Sequence, residues 1–414
     1  MNYFDYITII VFGIGVLVSG LAFSGRGKNM KSFFSAGGSI PWGISGLSLF
    51  MGFFSAGTFV VWGAIAYSYG LVAISIQATM CIAGFVVGGL IAPKWRETGA
   101  LTAAEYITNR FGLKTQKAYT YMFLLIALFT MGAFLYPIAK IVQVLTGLNL
   151  YWSIVALGGF CIFYVALGGL WSVVITDVLQ FVVLTVAVLI TVPLSLDKIG
   201  GFSELFNKAP AGFFNFTCDS YPLLFIIAFG FYNAIFLGGN WAYVQRYTSV
   251  RTKRDSRKVG FLFGSLYVIC PILWMLPPMI YRIYNGDLTG LSDEGAYLLM
   301  CKEALPNGIM GMMLGGMVFA TASSLNSTLN ISAGVFTNDI FKNLRPQSSD
   351  KSLMKVAKIS TLCLGLLAVM VALMVPSMGG IVNVVISVAA LTGVPLYLPV
   401  IWSLFSKYQT QKSI

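Results

Sequence analysis

The chain has 414 residues, 57% hydrophobic and 10% charged, with a net charge of +12. A soluble domain carries about a quarter charged residues, so a soluble class is excluded and a polytopic, all-α membrane protein is expected. The chain has no histidine, and its six cysteines show no C-x-x-C spacing, which argues against a transition-metal or redox site.

In chain order, the first apolar stretch, 6–24, follows "MNYFDY". That lead has an acid and no basic residue, so the stretch reads as a retained helix rather than a cleaved signal. The second, 42–68, contains "LFMGFFSAGTFVVWG", where Gly52, Ser55, Gly57 and Thr58 crowd together. The third, 70–92, carries Gln77, and the fourth, 117–146, carries Lys140 with Tyr136 and Gln143 on its face. The fifth and sixth are 150–169 and 172–196, and the sixth holds Asp177, the one acid clearly inside a span. The seventh, 222–244, is interrupted by Gly238, Gly239 and Asn240, and the eighth is 258–281. The ninth, 306–341, exceeds a straight crossing and contains "ATASSLNSTLN" at 320–330. The tenth and eleventh are 356–375 and 380–405.

If all eleven stretches cross, 21 of the 26 basic residues fall on one side. Arg26, Lys94, Arg246, Lys342 and Lys407 stand for the five clusters. The positive-inside bias makes that side cytoplasmic, with the N-terminus outside and the C-terminus inside. The charge is therefore a topology signal, and nucleic acid is not expected as a partner. Loops 197–221 and 282–305 become external, and their Cys218 and Cys301 are either paired or unrelated thiols.

The two interrupted stretches are five spans apart. With the first span set aside, each opens a five-span half, and an odd number of spans inverts the second half. This predicts an inverted repeat with a discontinuous helix at the head of each half, the pattern of a secondary transporter. The divisions are 1–40, 41–200 and 201–414. Close helix packing through small residues is the alternative reading of each interruption taken alone.

Asp177 needs a partner at membrane depth. No other span offers an evident buried cation, so a bound cation is expected; an interfacial Asp paired with a loop arginine is the alternative. Ala320, Ser323, Ser324 and Ser327 share one helix face, and their oxygens suit a hard alkali cation. Back-bonded hydroxyls in packed helices are the bland reading. Lys140 either snorkels or anchors an anionic solute; Gln77 either bonds between helices or contacts solute. Phe53, Phe54, Trp62 and Trp241 read as packing or as gates. A channel would need a filter loop, and an enzyme would need paired catalytic groups; neither is visible. A sensor on the same scaffold remains a rival.

Several stretches resemble the sodium/solute symporter family of sugar, sialic acid, proline and pantothenate carriers: "SAGTFVVWGAIAYSYGL", "APKWRETGALTAAEYITNRFG", "ALGGLWSVVITDVLQ", "YVQRYTSVRTKRDSRK" and "SSLNSTLNISAGVFTNDIF". The resemblance implies a LeuT-like five-plus-five fold with one extra N-terminal helix. It implies a main sodium site from the carbonyls of Met51, Phe54 and Ala320 and the hydroxyls of Ser323 and Ser324. A second sodium site would use Asp177, Ser323, Asn326 and Ser327. Ser55, Thr58, Gln77, Lys140 and Asn240 would meet the solute. Phe53 stands where proline carriers have Asp, and the helix of Lys140 lacks the Arg of sialic acid carriers. The expected function is sodium-coupled import of a sugar or sugar acid across a bacterial inner membrane, with a monocarboxylate or pantothenate-like acid as the alternative. The chain would stop after the tenth core helix, without the further helices that many relatives carry.

Overall fold

A computed structural model describes residues 2–24, 38–100, 102–288, 290–378 and 393–414. Arg26, Lys28, Lys31 and the first half of the expected last span lie outside the described residues. The described structure is helical apart from two isolated bridges, Ile40 with Val250 and Cys218 with Tyr221.

Helix α1 spans Tyr3–Ser24. The second stretch is broken, as expected: α2 is Trp42–Met51, then after a gap a π-turn Thr58–Trp62 runs into α3, Gly63–Tyr69. Next come α4, Leu71–Val86, a π-turn Val87–Ile91, and α5, Ala92–Glu97. Helix α6 is Ala103–Phe111 and α7 is Leu113–Thr146. Helix α8, Leu150–Ile199, runs through the expected turn between the fifth and sixth stretches. Gly168 and Gly169 there weaken a helix without removing a hydrogen-bond donor, so the ladder continues. Within α8, Val173–Ile199 is long and apolar enough to cross a membrane, and Leu150–Ile162 is a shorter apolar segment.

A short α9, Phe202–Asn207, precedes the second broken stretch, α10, Leu223–Gly239, and α11, Trp241–Thr248, which meet at 58°. Then follow α12, Lys253–Tyr284, and α13, Ala296–Ala304. Helix α14, Ile309–Val335, passes through a π-turn Phe336–Phe341 into α15, Lys342–Leu344. Helix α16 is Asp350–Met374, and a π-turn Gly393–Tyr397 leads to α17, Leu398–Phe405. Six described helices are long and apolar enough to cross a membrane, and the α10–α11 pair makes a seventh.

Helix α14 is the central rod: 23 of its 27 residues are buried, and it packs on α1, α7, α8 and α16. Small residues permit this approach. A Cβ on Gly311 would lie 2.3 Å from the Asp5 carbonyl oxygen, and one on Gly316 2.8 Å from Leu184. Helices α4 and α12 meet the same way, with Gly84 and Gly88 against Gly264 and Gly260.

The basic segments gather at one end. Arg96 Nε donates to Val250 O at 2.8 Å, Lys94 and Lys253 flank Glu97, and Arg110 donates to Ser406 O. At the other end Tyr67 donates to Asn285 O at 2.8 Å and Ser68 to Asp293 at 3.1 Å. Cys218 and Cys301 are both free thiols.

Candidate cation and solute site

The first interruption leaves backbone groups without helical partners, and side chains replace them. Thr58 Oγ1 donates to Phe53 O at 2.7 Å and accepts from Ser55 N at 3.2 Å. Ala56 N donates to Thr321 Oγ1 of α14 at 2.7 Å. This fixes the break against the rod. Beside it, Ser324 Oγ lies 3.5 Å from Met51 O, 3.2 Å from Gly52 O and 3.4 Å from Ala320 O. One hydroxyl has one proton for three carbonyls. The oxygens exceed the protons available, which is the electrostatic condition for a small hard cation.

Three of the five expected main-site residues, Met51, Ala320 and Ser324, thus meet at the break, with two differences. Gly52, not Phe54, supplies the third carbonyl near Ser324; the Phe54 ring stacks on Trp274 at 4.0 Å. Ser323 turns away, and its hydroxyl donates to Asp177. Neighbours on a helix point about 100° apart, so the two serines serve different clusters.

The second cluster corrects the expectation that no buried cation faces Asp177. Arg246 is that cation, 2% exposed, with Nη2 3.9 Å from Asp177 Oδ2. Ser48 Oγ donates to Asp177 and accepts from Arg246 Nε at 2.8 Å. Arg246 Nη2 also donates to Ser327 Oγ at 2.8 Å, and Nη1 to Gln245 Oε1 at 3.0 Å. Sequence reasoning put Arg246 among loop basics. Helix α11 instead runs inward from the break with all eight residues buried. Of the expected second-site residues, Asp177, Ser323 and Ser327 therefore meet around a guanidinium. Asn326 Oδ1 is buried without a hydrogen-bond partner among the described residues.

The two interruptions face each other. The Phe53 ring lies 4.5 Å from Tyr243 and 6.1 Å from Phe236. Asn240 caps α11, accepting from Ala242 N at 2.9 Å and donating to Tyr397 Oη at 3.3 Å. A cavity of about 10 Å³ between the clusters is lined by Ser48, Gly52, Tyr243, Arg246, Ser324 and Ser327. That is about the room one water needs. Gln77 is buried on α4, and its side chain makes no hydrogen bond to Ser55 or Asn240. Lys140 is exposed and donates to Gln143 at 3.2 Å, apart from the others. Trp241 is buried flat against Phe123 at 4.4 Å, so it packs.

Two interrupted helices pressed face to face, against a rod that offers oxygens, define a secondary transporter of the LeuT-like class. The solved structure of a Na+-coupled sialic acid symporter in a substrate-bound outward-open state has this fold: TM-score 0.83, 22% identity, covering 99% of this chain and 93% of that one. The sequence pattern of the Sodium:solute symporter family matches residues 33–413, and the chain belongs to that family, which is one of transporters and not of enzymes. A sodium/glucose cotransporter of Vibrio parahaemolyticus is 28% identical over 91% of this chain and 74% of its own length. The sodium/sialic acid symporter SiaT of Proteus mirabilis is 26% identical over 90% and 78%. The chain spans 59% of the rat sodium/glucose cotransporter 2 and 62% of the mouse sodium/glucose cotransporter 1.

Proposed function

We propose that the chain imports a small polar organic solute, a sugar or sugar acid, together with sodium by alternating access. The observation that carries this reading is the convergence of Met51, Gly52 and Ala320 carbonyls on Ser324 Oγ, where a broken helix meets the rod. Sodium bound there, with Phe54 O and Ser323 Oγ as further ligands on adjustment of the break, ties α2 to α14 and completes the solute site. The coupling is a reciprocal linkage, typically ~1–3 kcal/mol. The membrane potential adds about 2.3 kcal/mol per charge per 100 mV.

Ser55, Thr58, Gln77 and Asn240 are the proposed solute contacts. The exposed position of Lys140 removes the main argument for an acidic solute, so a neutral sugar is preferred. The relatives named for glucose and sialic acid support the sugar class. Because Arg246 engages Asp177 and Ser327, a second sodium would have to displace a guanidinium. One sodium per solute is therefore proposed. The basic end faces the cytoplasm of a bacterial inner membrane, and the repeats occupy 41–200 and 201–414 after the extra helix in 1–40.

The test is uptake of radiolabelled D-glucose and N-acetylneuraminate into proteoliposomes with sodium or choline outside. Sodium-dependent uptake of one of them is expected, with a Hill coefficient near one for sodium. Ser324→Ala should raise the half-saturating sodium concentration about tenfold, equal to ~1.4 kcal/mol of site energy. Equal uptake in choline rejects the reading.

A further inference from the structure

Helix α12 starts where several segments of the basic end come together. In the loop before it, Ser249 O accepts from Ile40 N at 3.1 Å and Val250 O from Arg96 Nε at 2.8 Å. In its first turn Ser256 Oγ donates to Ala92 O at 2.8 Å, and Lys253 reaches Glu97. Further along, a Cβ on Gly46 of α2 would lie 2.8 Å from Leu262. The start of α12 thus holds the ends of α2, α5 and α11 together.

Five of the eight residues 251–258 are basic, and the one acid among them, Asp255, is engaged by Thr252 Oγ1 at 2.8 Å. The neighbouring Glu97 is engaged by Lys94 and Lys253. Arg254 and Arg257 are exposed and have no hydrogen-bond or ion-pair partner among the described residues. Lys258 Nζ stands 5.1 Å over the ring of Trp42, the first residue of α2. The Trp42 side chain is exposed, and its indole N–H has no hydrogen-bond partner among the described residues. At 3.6 residues per turn, Arg254, Arg257 and Lys258 share one stripe of α12. The stripe continues as Phe261, Val268, Ile269 and Ile272, all exposed, and Phe85 of α4 flanks it 6.0 Å from Phe261.

Helix α12 is long and apolar enough to cross a membrane, so its first turns lie at a membrane surface and the apolar stripe lies in the hydrocarbon. Two guanidinium forks, an ammonium and an indole N–H are all donors. They suit a group that only accepts, and guanidinium forks match phosphate oxygens. The adjoining stripe suits acyl chains. A choline or ethanolamine headgroup would bring a second cation into the basic cluster; a headgroup with no cation would not. We infer that Trp42 and the first turns of α12 bind an anionic phospholipid, with its phosphate on Arg254, Arg257, Lys258 and the Trp42 N–H. The lipid bridges α2 to α12 and holds the basic end in the arrangement described. The inference does not depend on which solute is carried.

The test places the full chain in nanodiscs of equal parts phosphatidylcholine and phosphatidylglycerol and counts retained lipids by native mass spectrometry. Phosphatidylglycerol should be retained in excess. Arg254→Gln/Arg257→Gln should lower its retention about fivefold. Trp42→Phe, which keeps a ring without the N–H, should lower it about twofold, and decides the matter should the arginine variant fail to fold. Lys351→Gln/Lys355→Gln removes as much charge from exposed positions at the start of α16 and should leave retention unchanged. Phosphatidylglycerol should raise the melting temperature of the parent by about 3 °C over phosphatidylcholine alone, and that of the arginine variant by less than about 1 °C. Glycerol 3-phosphate, which has the phosphate without the chains, should not displace the lipid. Equal retention of the two lipids, equal losses from the arginine and lysine variants, or displacement by glycerol 3-phosphate overturns the proposal.

Discussion

Asp177 and Arg246 form an ion pair at 1% and 2% exposure, and its worth depends on completeness. Two charges at that depth are tolerated because Ser48, Ser323, Ser327 and Gln245 hydrogen-bond to them. Removing one partner leaves the other charge buried and alone, typically ~3–5 kcal/mol of destabilisation. Asp177→Asn and Arg246→Gln should each lower the melting temperature markedly, and the double variant should lose clearly less than the sum of the two. Additive losses in a thermal-unfolding cycle would show the groups to be independent. Thr58 acts differently, since its hydroxyl stands in for a helical partner at the break. Thr58→Val leaves Phe53 O and Ser55 N without it, at about 1–3 kcal/mol. It should weaken sodium affinity, because the Met51 and Gly52 carbonyls are held by the same turn; the sodium dependence of uptake measures this.

Among the elements, α1 is hydrogen-bonded to the start of the rod through one carboxylate and packs along it. Asp5, 3% exposed, accepts from Gly308 N at 2.7 Å and Gly311 N at 3.1 Å, at the start of α14. A carboxylate suits the unpaired N–H groups and positive dipole end of a helix. Phe12 packs edge-on against Phe319 two turns further along. Asp5→Ala should cost about 1.5–3 kcal/mol, as for hydrogen bonds to a charged group. Asp5→Asn, which keeps an acceptor, should cost less. A chemical or thermal denaturation series of the two variants checks the order. The turn between α3 and α4 is set by Gly70, at φ 61°, where a Cβ would lie 2.1 Å from Phe213 O. Gly70→Ala should therefore displace the 210–214 loop, and raised protease cleavage there would report it.

For the whole molecule, both broken helices send their inner segments, α2 and α11, to the basic end, where Ser45 Oγ donates to Arg246 O at 2.9 Å and Ile40 N to Ser249 O at 3.1 Å. The outer segments, α3 and α10, run to the opposite end. This arrangement suits one gate opening while the other stays shut. The proposed orientation predicts that, with the six native cysteines replaced by alanine, Asn215→Cys reacts with a membrane-impermeant maleimide added outside cells. Tyr408→Cys, at a position 93% exposed in the native chain, should react only after permeabilisation. The reverse labelling would invert the topology.

Much of the fold was legible because lipid imposes simple rules. Apolar length marks spans, and glycine with hydroxyl residues at depth marks a break, so both interruptions and the serine-bearing rod could be read from composition and spacing. What a residue meets across space was not legible. Arg246 reads as one of a run of loop basics, yet the 58° bend after Gly239 turns it toward Asp177. Ser323 and Ser324 are adjacent in the chain but separate on the helix, so only packing decides which faces the carboxylate and which the break. By itself the sequence determined the membrane-spanning class, the places where helices fail and the oxygen-rich face, since these follow from local composition. The tertiary structure alone decided the partner of Asp177, the carbonyls around Ser324 and the meeting of Trp42 with Lys258, since those depend on how distant helices are oriented against one another.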